Sequence, residues 1–207
     1  MVQARNNVAT EGAIGRIYAN GSQVNAGNAM ILQEQYAAGT AINTTVVETS
    51  LYTIAGFVPS MSGGVYTVPS TLVTIPQNFL SIGMLYRGMI VGTIANTGTP
   101  TLRVRVVLRN TAGTIAYTLS DSTAVAMTTI SASDFQVDYD FMVAASGVTG
   151  SLVGRIRYRY ASTTVTTVPA AVTVDTTQQY TVDTLLTWGT SSASNTATVL
   201  WSFLELE

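Results

Sequence analysis

Six of the nine arginines in this chain fall in two alternating runs, and two aspartates fall in a third. In Leu102-Arg103-Val104-Arg105-Val106-Val107-Leu108-Arg109 the even positions are apolar. On a strand, Arg103, Arg105 and Arg109 then share the opposite face. In Gly154-Arg155-Ile156-Arg157-Tyr158-Arg159-Tyr160 the outward set is Arg155, Arg157 and Arg159. In Phe135-Gln136-Val137-Asp138-Tyr139-Asp140-Phe141 it is Asp138 and Asp140. If the three strands are neighbours, opposed Arg and Asp pair across the sheet. Alternatively the planar guanidinium forks meet carboxylates at a subunit or shell interface. A phosphate or nucleic-acid site is the third use, but no aromatic interleaves on the arginine face, because Tyr158 and Tyr160 point the other way.

Asp138 and Asp140 also invite a test as paired acids. Two residues apart on one strand face is about 6.5–7 Å, within the span of an inverting glycosidase pair. Any Asp-x-Asp on a strand meets that condition, and the arginine-rich runs offer a simpler partner. Calcium ligation by Asp121, Asp134 and Asp138 is conceivable for oxygen ligands, but no loop has EF-hand spacing. Other catalytic chemistry lacks its side chains. The chain has no His, Cys or Lys, which removes the Ser-His-Asp triad, thiolate and imidazole metal sites, Schiff bases and the P-loop. The expectation is a protein that is not an enzyme and takes no cofactor or metal.

Charged residues are 10% of the sequence, against roughly 25% in an ordinary soluble domain. Mean hydropathy is +0.33, and the pI is near 5.0. So little charge does little to hold folded copies apart, and the economical reading is that other subunits cover much of the surface. A net charge of −2 supplies no basic field for nucleic acid. No apolar stretch approaches the roughly 18 residues of a membrane span. Nor does the sequence after Arg5 carry the apolar run of a secretory leader. The expected partners are therefore proteins, with no nucleic acid and no membrane, and the expected site of synthesis is a cytoplasm.

The pattern divides the chain into an N-terminal docking arm, 1–42, and a β-domain, 43–207. The arm is rich in Ala, Asn and Gly, with turns at Asn20-Gly21 and Ala26-Gly27-Asn28. It carries the apolar anchors Ile17, Tyr18, Met30, Ile31, Leu32 and Tyr36. Its 29–38 stretch of helix formers before Gly39 reads as a short helix, or as a segment that orders against a neighbour. Beyond residue 44, Thr and Val suit a pleated surface. Strands are predicted at 45–54, 64–74, 83–94, 100–109, 113–119, 123–129, 134–144, 151–161, 164–173, 179–188 and 196–206. Turn clusters separate several of them, at 62–64, 96–98, 110–113 and 147–150. Short strands at even spacing without helices between them indicate an antiparallel sandwich or barrel. Trp188 and Trp201, in strand-like segments near the end, read as core or interface anchors.

A resemblance sharpens this. Thr49-Ser50-Leu51-Tyr52-Thr53, then Ile75-Pro76-Gln77-Asn78-Phe79-Leu80-Ser81-Ile82-Gly83, then Gly98-Thr99-Pro100-Thr101-Leu102-Arg103-Val104-Arg105 resembles jelly-roll virion accessory proteins of tailed bacteriophages. Gly147-Val148-Thr149-Gly150-Ser151 is similar to a Gly-x-x-Gly turn in their second sheet. The likeness covers roughly 45–204 as strand periodicity plus turns, and it does not extend to the arm. It implies an all-β, antiparallel β-sandwich of jelly-roll type with an N-terminal extended arm, and a place in the virion.

The leading expectation is a capsid decoration (cement) protein that binds the outer surface of a phage head and stabilises the shell. Its partner would be the major capsid protein or another virion protein, and it would itself be a homo-oligomer, a trimer ahead of a dimer. Residues 1–42 would face the capsid, with the two arginine runs and Asp138 and Asp140 as polar contacts. The alternative is a receptor-binding tail-fibre or head-fibre module that recognises host glycan or protein through loops such as 59–64, 110–113 and 145–150. A third is a carboxylate-only glycan hydrolase built on Asp138 or Asp140.

Overall fold

The computed structural model describes residues 38–39, 41–43, 46–52 and 72–207 with their side chains, and the backbone alone of 18–19, 22–25, 29–35, 61–62 and 65–66. The N-terminal strands are β1 (Tyr18–Ala19), β2 (Ser22–Asn25), β3 (Ala29–Gln35), β4 (Ile42–Asn43) and β5 (Thr49–Ser50). Then come β6 (Met61–Ser62), β7 (Val65–Tyr66), β8 (Thr74–Ile75), β9 (Leu85–Asn96), β10 (Thr101–Arg109), β11 (Ile115–Asp121) and β12 (Val125–Ala126). The chain finishes with β13 (Ile130–Ala145), β14 (Gly150–Tyr160), β15 (Thr163–Thr167), β16 (Val172–Val174), β17 (Tyr180–Trp188) and β18 (Thr196–Leu206).

Two antiparallel sheets form a jelly-roll-type sandwich. The wide sheet runs β1-β2-β3-β18-β9-β13-β14-β15, with β16 on β14 and β4 on β18. The narrow sheet runs β11-β10-β17-β5, with β12 on β10 and β8 on β17. β6 and β7 pair as a separate hairpin across the predicted 62–64 turn. The long strands predicted from alternation lie within four residues of their expected ends. The predicted 164–173 strand is divided into β15 and β16, with Pro169 between them; proline has no N–H to give a ladder.

The inward positions are those the alternation requires. Leu102, Val104, Val106 and Leu108 of β10 meet Phe135, Val137, Tyr139 and Phe141 of β13 and Ile156, Tyr158 and Tyr160 of β14 in one buried core. Tyr158 and Tyr160 stack on each other at 5.9 Å, so they are core residues. Trp188 is also fully buried, and its indole N–H donates to the Ile42 carbonyl at 3.4 Å. Tyr139 lies over Gly88, where any Cβ would fall 2.1 Å from its ring. Its hydroxyl meets that of Tyr52, tying the wide sheet to the 51–52 segment. Burial pushes both phenols well above their ordinary pKa.

The 29–38 stretch differs from the short-helix expectation. Residues 29–35 are β3, hydrogen-bonded to β18 with Ser202 opposite Gln35, Phe203 opposite Glu34 and Leu206 opposite Met30. Helix propensity is a weak prior, and an available strand edge outweighs it. The predicted turns fall between paired strands: Asn20-Gly21 separates Ala19 from its partner Ser22, and 26–28 separates Asn25 from Ala29. The anchors Tyr18, Met30, Ile31 and Leu32 are strand residues whose side chains lie outside the described set. Ile17 and Tyr36 lie outside it altogether.

Candidate interaction surfaces

The outer face of the wide sheet is built in columns. β13 and β14 are neighbours, with Asp138 opposite Arg157, Asp140 opposite Arg155 and Gln136 opposite Arg159. Each opposed pair bonds: Arg157 donates to Asp138 at 2.8 Å, Arg155 to Asp140, and Arg159 to the Gln136 carbonyl. On the far side of β13, β9 places Met89 opposite Asp138, Val91 opposite Gln136 and Arg87 opposite Asp140. Beyond β9, β18 sets Phe203 opposite Met89, Trp201 opposite Val91 and Glu205 opposite Arg87. One row thus reads Phe203, Met89, Asp138, Arg157, and the next Trp201, Val91, Gln136, Arg159. Along these two rows the face grades from aromatic and aliphatic on β18 and β9, through Asp138 and Gln136 on β13, to basic on β14. A third row is charged throughout: Glu205, Arg87, Asp140, Arg155.

A bulge puts the tryptophan there. Val199 pairs with Gly92 and Trp201 with Val91, which leaves Leu200 as an extra residue in β18. Strict alternation would send Val199 and Trp201 to the same side. Instead Val199 is buried, while Leu200 and Trp201 are 41% and 36% exposed beside each other. An inserted residue re-aims the side chains that follow it. The Trp201 and Phe203 rings then stack at 6.1 Å with 13° between their planes. The signal in the sequence is the uninterrupted Val199-Leu200-Trp201 run inside an otherwise alternating strand. Strict alternation in this strand does not predict the outward turn of both Leu200 and Phe203, and Met89 joins them only through the register of β9 with β18.

β10 is not a neighbour of the acidic column. It lies in the narrow sheet, so the two arginine runs do not share a face. Arg103 pairs with Asp121, and Arg105 with Glu48. The Arg103 hydrogen bonds hold the Asp121 carboxyl below its ordinary pKa, with the Thr123 amide assisting. Arg109 departs furthest from expectation. It is 3% exposed, and its Nε donates to Asp183, which is fully buried, at 2.8 Å. Another of its N–H groups donates to the Gly113 carbonyl at 2.9 Å, and Ser50 Oγ donates to the second Asp183 oxygen at 2.6 Å. The face of β10 and β17 that bears it is buried here, with Val107 and Leu185 also inaccessible. Arg109 is thus an internal cation, not a surface contact.

Asp138 and Asp140 each hold an arginine. Asp121, Asp134 and Asp138 do not converge: among the described residues no group of three or more acidic side chains could hold a metal. No described helix is long and apolar enough to cross a membrane. The exposed ladder should contribute little to stability. Arg157→Ala is expected to cost about 0.2–1 kcal/mol, a cost that shrinks further in high salt. Paired urea titrations at low and high ionic strength would check this, and a loss several-fold larger would mean the ladder supports the sheet.

A second surface lies at one end of the narrow sheet. There the 110–114 turn, the start of β11 and the 175–180 segment enclose an open cleft of about 310 Å³. Tyr117 forms one wall, held edge-on to Tyr180 at 5.7 Å and 75°. Its hydroxyl accepts from the Asp175 amide at 3.3 Å, and the Tyr180 hydroxyl donates to the Asp175 carbonyl at 2.7 Å. Asn110 Oδ1 accepts from the Ala112 and Thr114 amides, which fixes its turn. Gln77, Gln178 and Gln179 also line it, and among the described residues no charged side chain belongs to it. Beside it, hydrogen bonds from Thr177 and Gln178 hold the Asp175 carboxyl below its ordinary pKa, so it is ionised at neutral pH. The predicted 110–113 loop is part of this cleft.

Fold and surfaces together define an all-β sandwich of jelly-roll type with a graded sheet face and a polar end cleft. No family model matches the chain, and no curated protein does. Among solved structures it is similar to the CBM2 module of the evolved Dit of Lactobacillus casei BL23 phage J-1. Identity there is 12% over 86% of this chain and 96% of the other, with a TM-score of 0.38. It is also similar to lectin I of Ulex europaeus, which was solved with the methyl glycoside of α-L-fucose. Here identity is 10% over 89% of each chain, with a TM-score of 0.29. At these TM-scores neither likeness assigns a family, a ligand or a partner.

Proposed function

We propose that this chain is a structural virion protein, a decoration (cement) protein held on the outer surface of a phage head. The observation that carries the reading is the graded face of the wide sheet. Stacked Trp201 and Phe203, with Leu200, Met89 and Val91, form an apolar centre, and the Asp and Arg columns flank it. Aromatics, methionine and arginine are the side chains enriched at protein interfaces, and clustered aromatic anchors dominate binding energy there. The low overall charge agrees, because a surface of this kind is kept soluble by being covered. The partner is the major capsid protein or another virion protein. Residues 1–42 act as the capsid-facing arm, and copies of the chain associate with one another, as trimers ahead of dimers. No catalytic step is involved.

Trp201→Ala combined with Phe203→Ala is expected to stay folded and to lose at least about tenfold in affinity for particles stripped of this protein. Co-sedimentation with such particles, alongside a thermal melt of the variant, is the measurement. Binding at full strength by a folded double variant would reject the face as the anchor. Gold-labelled antibody on intact particles separates the broader readings: label over the head supports decoration, label confined to the tail supports receptor binding, and an unlabelled particle refutes both. For the arm, a cut after residue 28 is cleaner than one after 42, since it leaves β3 bonded to β18.

A further inference from the structure

We propose that the cleft between the 110–114 turn and the 175–180 segment is a binding site for an uncharged saccharide. The inference stands apart from particle docking, because the cleft belongs to the narrow sheet and the docking face to the wide one. At about 310 Å³ the cleft is at the small end of ligand pockets, which span roughly 300–1,000 Å³. That is room for a short glycan or the end of a longer one.

Its chemistry is selective. Gln77, Gln178, Gln179 and Asn110 line it, and a primary amide presents two donors and an acceptor. Neighbouring hydroxyls on a sugar ring, each both donor and acceptor, match such groups without any transfer of charge. The Asn110 carbonyl oxygen is committed to its own turn, which leaves its NH₂ as the group for a ligand. The Gln178 NH₂ is committed to Asp175 and Thr177, which leaves its carbonyl. Donor and acceptor are thereby assigned before a ligand arrives. Tyr117 supplies an aromatic wall for the apolar side of a ring. Tyr180 and the Asp175 amide already hold it, so little side-chain entropy remains to be lost on binding.

Charge decides against other occupants. An anionic sugar or a phosphate is held best by arginine or lysine, and among the described residues no basic side chain lines the cleft. The nearby Asp175 carboxylate would repel an anion. A cationic ligand would want an acid in the lining, and none of the described lining residues is one.

The test uses the full chain with glucose, galactose, mannose, N-acetylglucosamine and their common disaccharides, read by saturation-transfer NMR and titration calorimetry. N-acetylneuraminic acid and inorganic phosphate serve as charged probes. At least one neutral saccharide should bind, and the charged probes should not. Gln77→Ala with Gln179→Ala should weaken that binding by about tenfold, through two lost hydrogen-bonding groups. These glutamines are exposed, so the melting temperature should not move. The absence of any bound neutral saccharide at millimolar concentration would overturn the assignment. So would a preference for the charged probes, or unchanged affinity in the folded double variant. None of these results bears on particle binding, so the two readings fail separately.

Discussion

Arg109→Met should destabilise the protein by about 3–5 kcal/mol at neutral pH, because it strands a carboxylate in the interior. Asp183 has no solvent exposure, and the guanidinium is the cation it faces at 2.8 Å. Burial already pushes the Asp183 carboxyl up, against the lowering effects of Arg109, Ser50 and the Thr184 amide. Removing the cation removes the largest of those opposing effects, so the folded-state pKa rises further. The sign of the pH dependence follows. Between the unfolded pKa, about 3.9, and the raised folded value, the native state binds a proton that the unfolded chain does not, so stability falls as pH rises. The deficit of Arg109→Met relative to the native chain should therefore be largest at neutral pH and narrow towards acid. Adding Asp183→Asn should restore part of the loss, since a neutral amide is far cheaper to bury than an unpaired carboxylate. Urea titrations across pH would show this. A deficit below about 1 kcal/mol, or one that grows on acidification, would mean the pair is not the internal lock described.

Gly92→Ala should remove about 1–3 kcal/mol or more, the range for overpacking a close-packed interior. The added methyl would lie 2.1 Å from the Thr198 carbonyl oxygen and 3.1 Å from the Val199 Cα. Both belong to backbone, so no side chain can rotate away. The strand must move, and the segment that moves is the one whose bulge turns Trp201 outward. The variant is thus expected to lose stability and, where it still folds, to show altered tryptophan fluorescence and weakened particle binding together. Gly98→Ala is the contrast. Open space surrounds Gly98, but its φ of +71° makes an alanine strained, so it should cost about 1 kcal/mol and leave the Trp201 environment unchanged. Equal fluorescence changes in both variants would disconnect Gly92 from the bulge.

The sandwich was legible because alternation with period two is a local property. Leu102 to Leu108, Phe135 to Phe141 and Ile156 to Tyr160 each state which side is buried without reference to any other strand, and a one-residue slip would bury three arginines. The pairing of Asp138 and Asp140 with arginine was legible only as a condition, since it needed β13 and β14 to be adjacent. The choice of Arg157 and Arg155, and not the β10 run, required sheet order. β10 crosses to the other sheet, and crossing is a matter of connection, not composition.

The remaining features depend on what lies opposite. Arg103, Arg105 and Arg109 look equivalent along their strand, yet Arg109 alone of the three is an internal cation, because Asp183 of β17 meets it, itself held by Ser50 of β5. The 29–35 segment has the residues of a helix and forms a strand, because the edge of β18 offers its unpaired backbone groups a ladder. Trp201 has the parity of a core residue and lies outside, because Leu200 is one residue too many for the register with β9. The end cleft gathers residues from parts of the chain as distant as Gln77 and Gln179, which no local pattern links. Sequence alone determined the class of fold, the inward face of the three alternating runs in β10, β13 and β14 and the lack of His, Cys and Lys chemistry, since each is carried by neighbouring residues or by composition. Which charges are buried, which aromatics are presented and which polar groups converge were decided by strand order and register, because those are set by long-range packing.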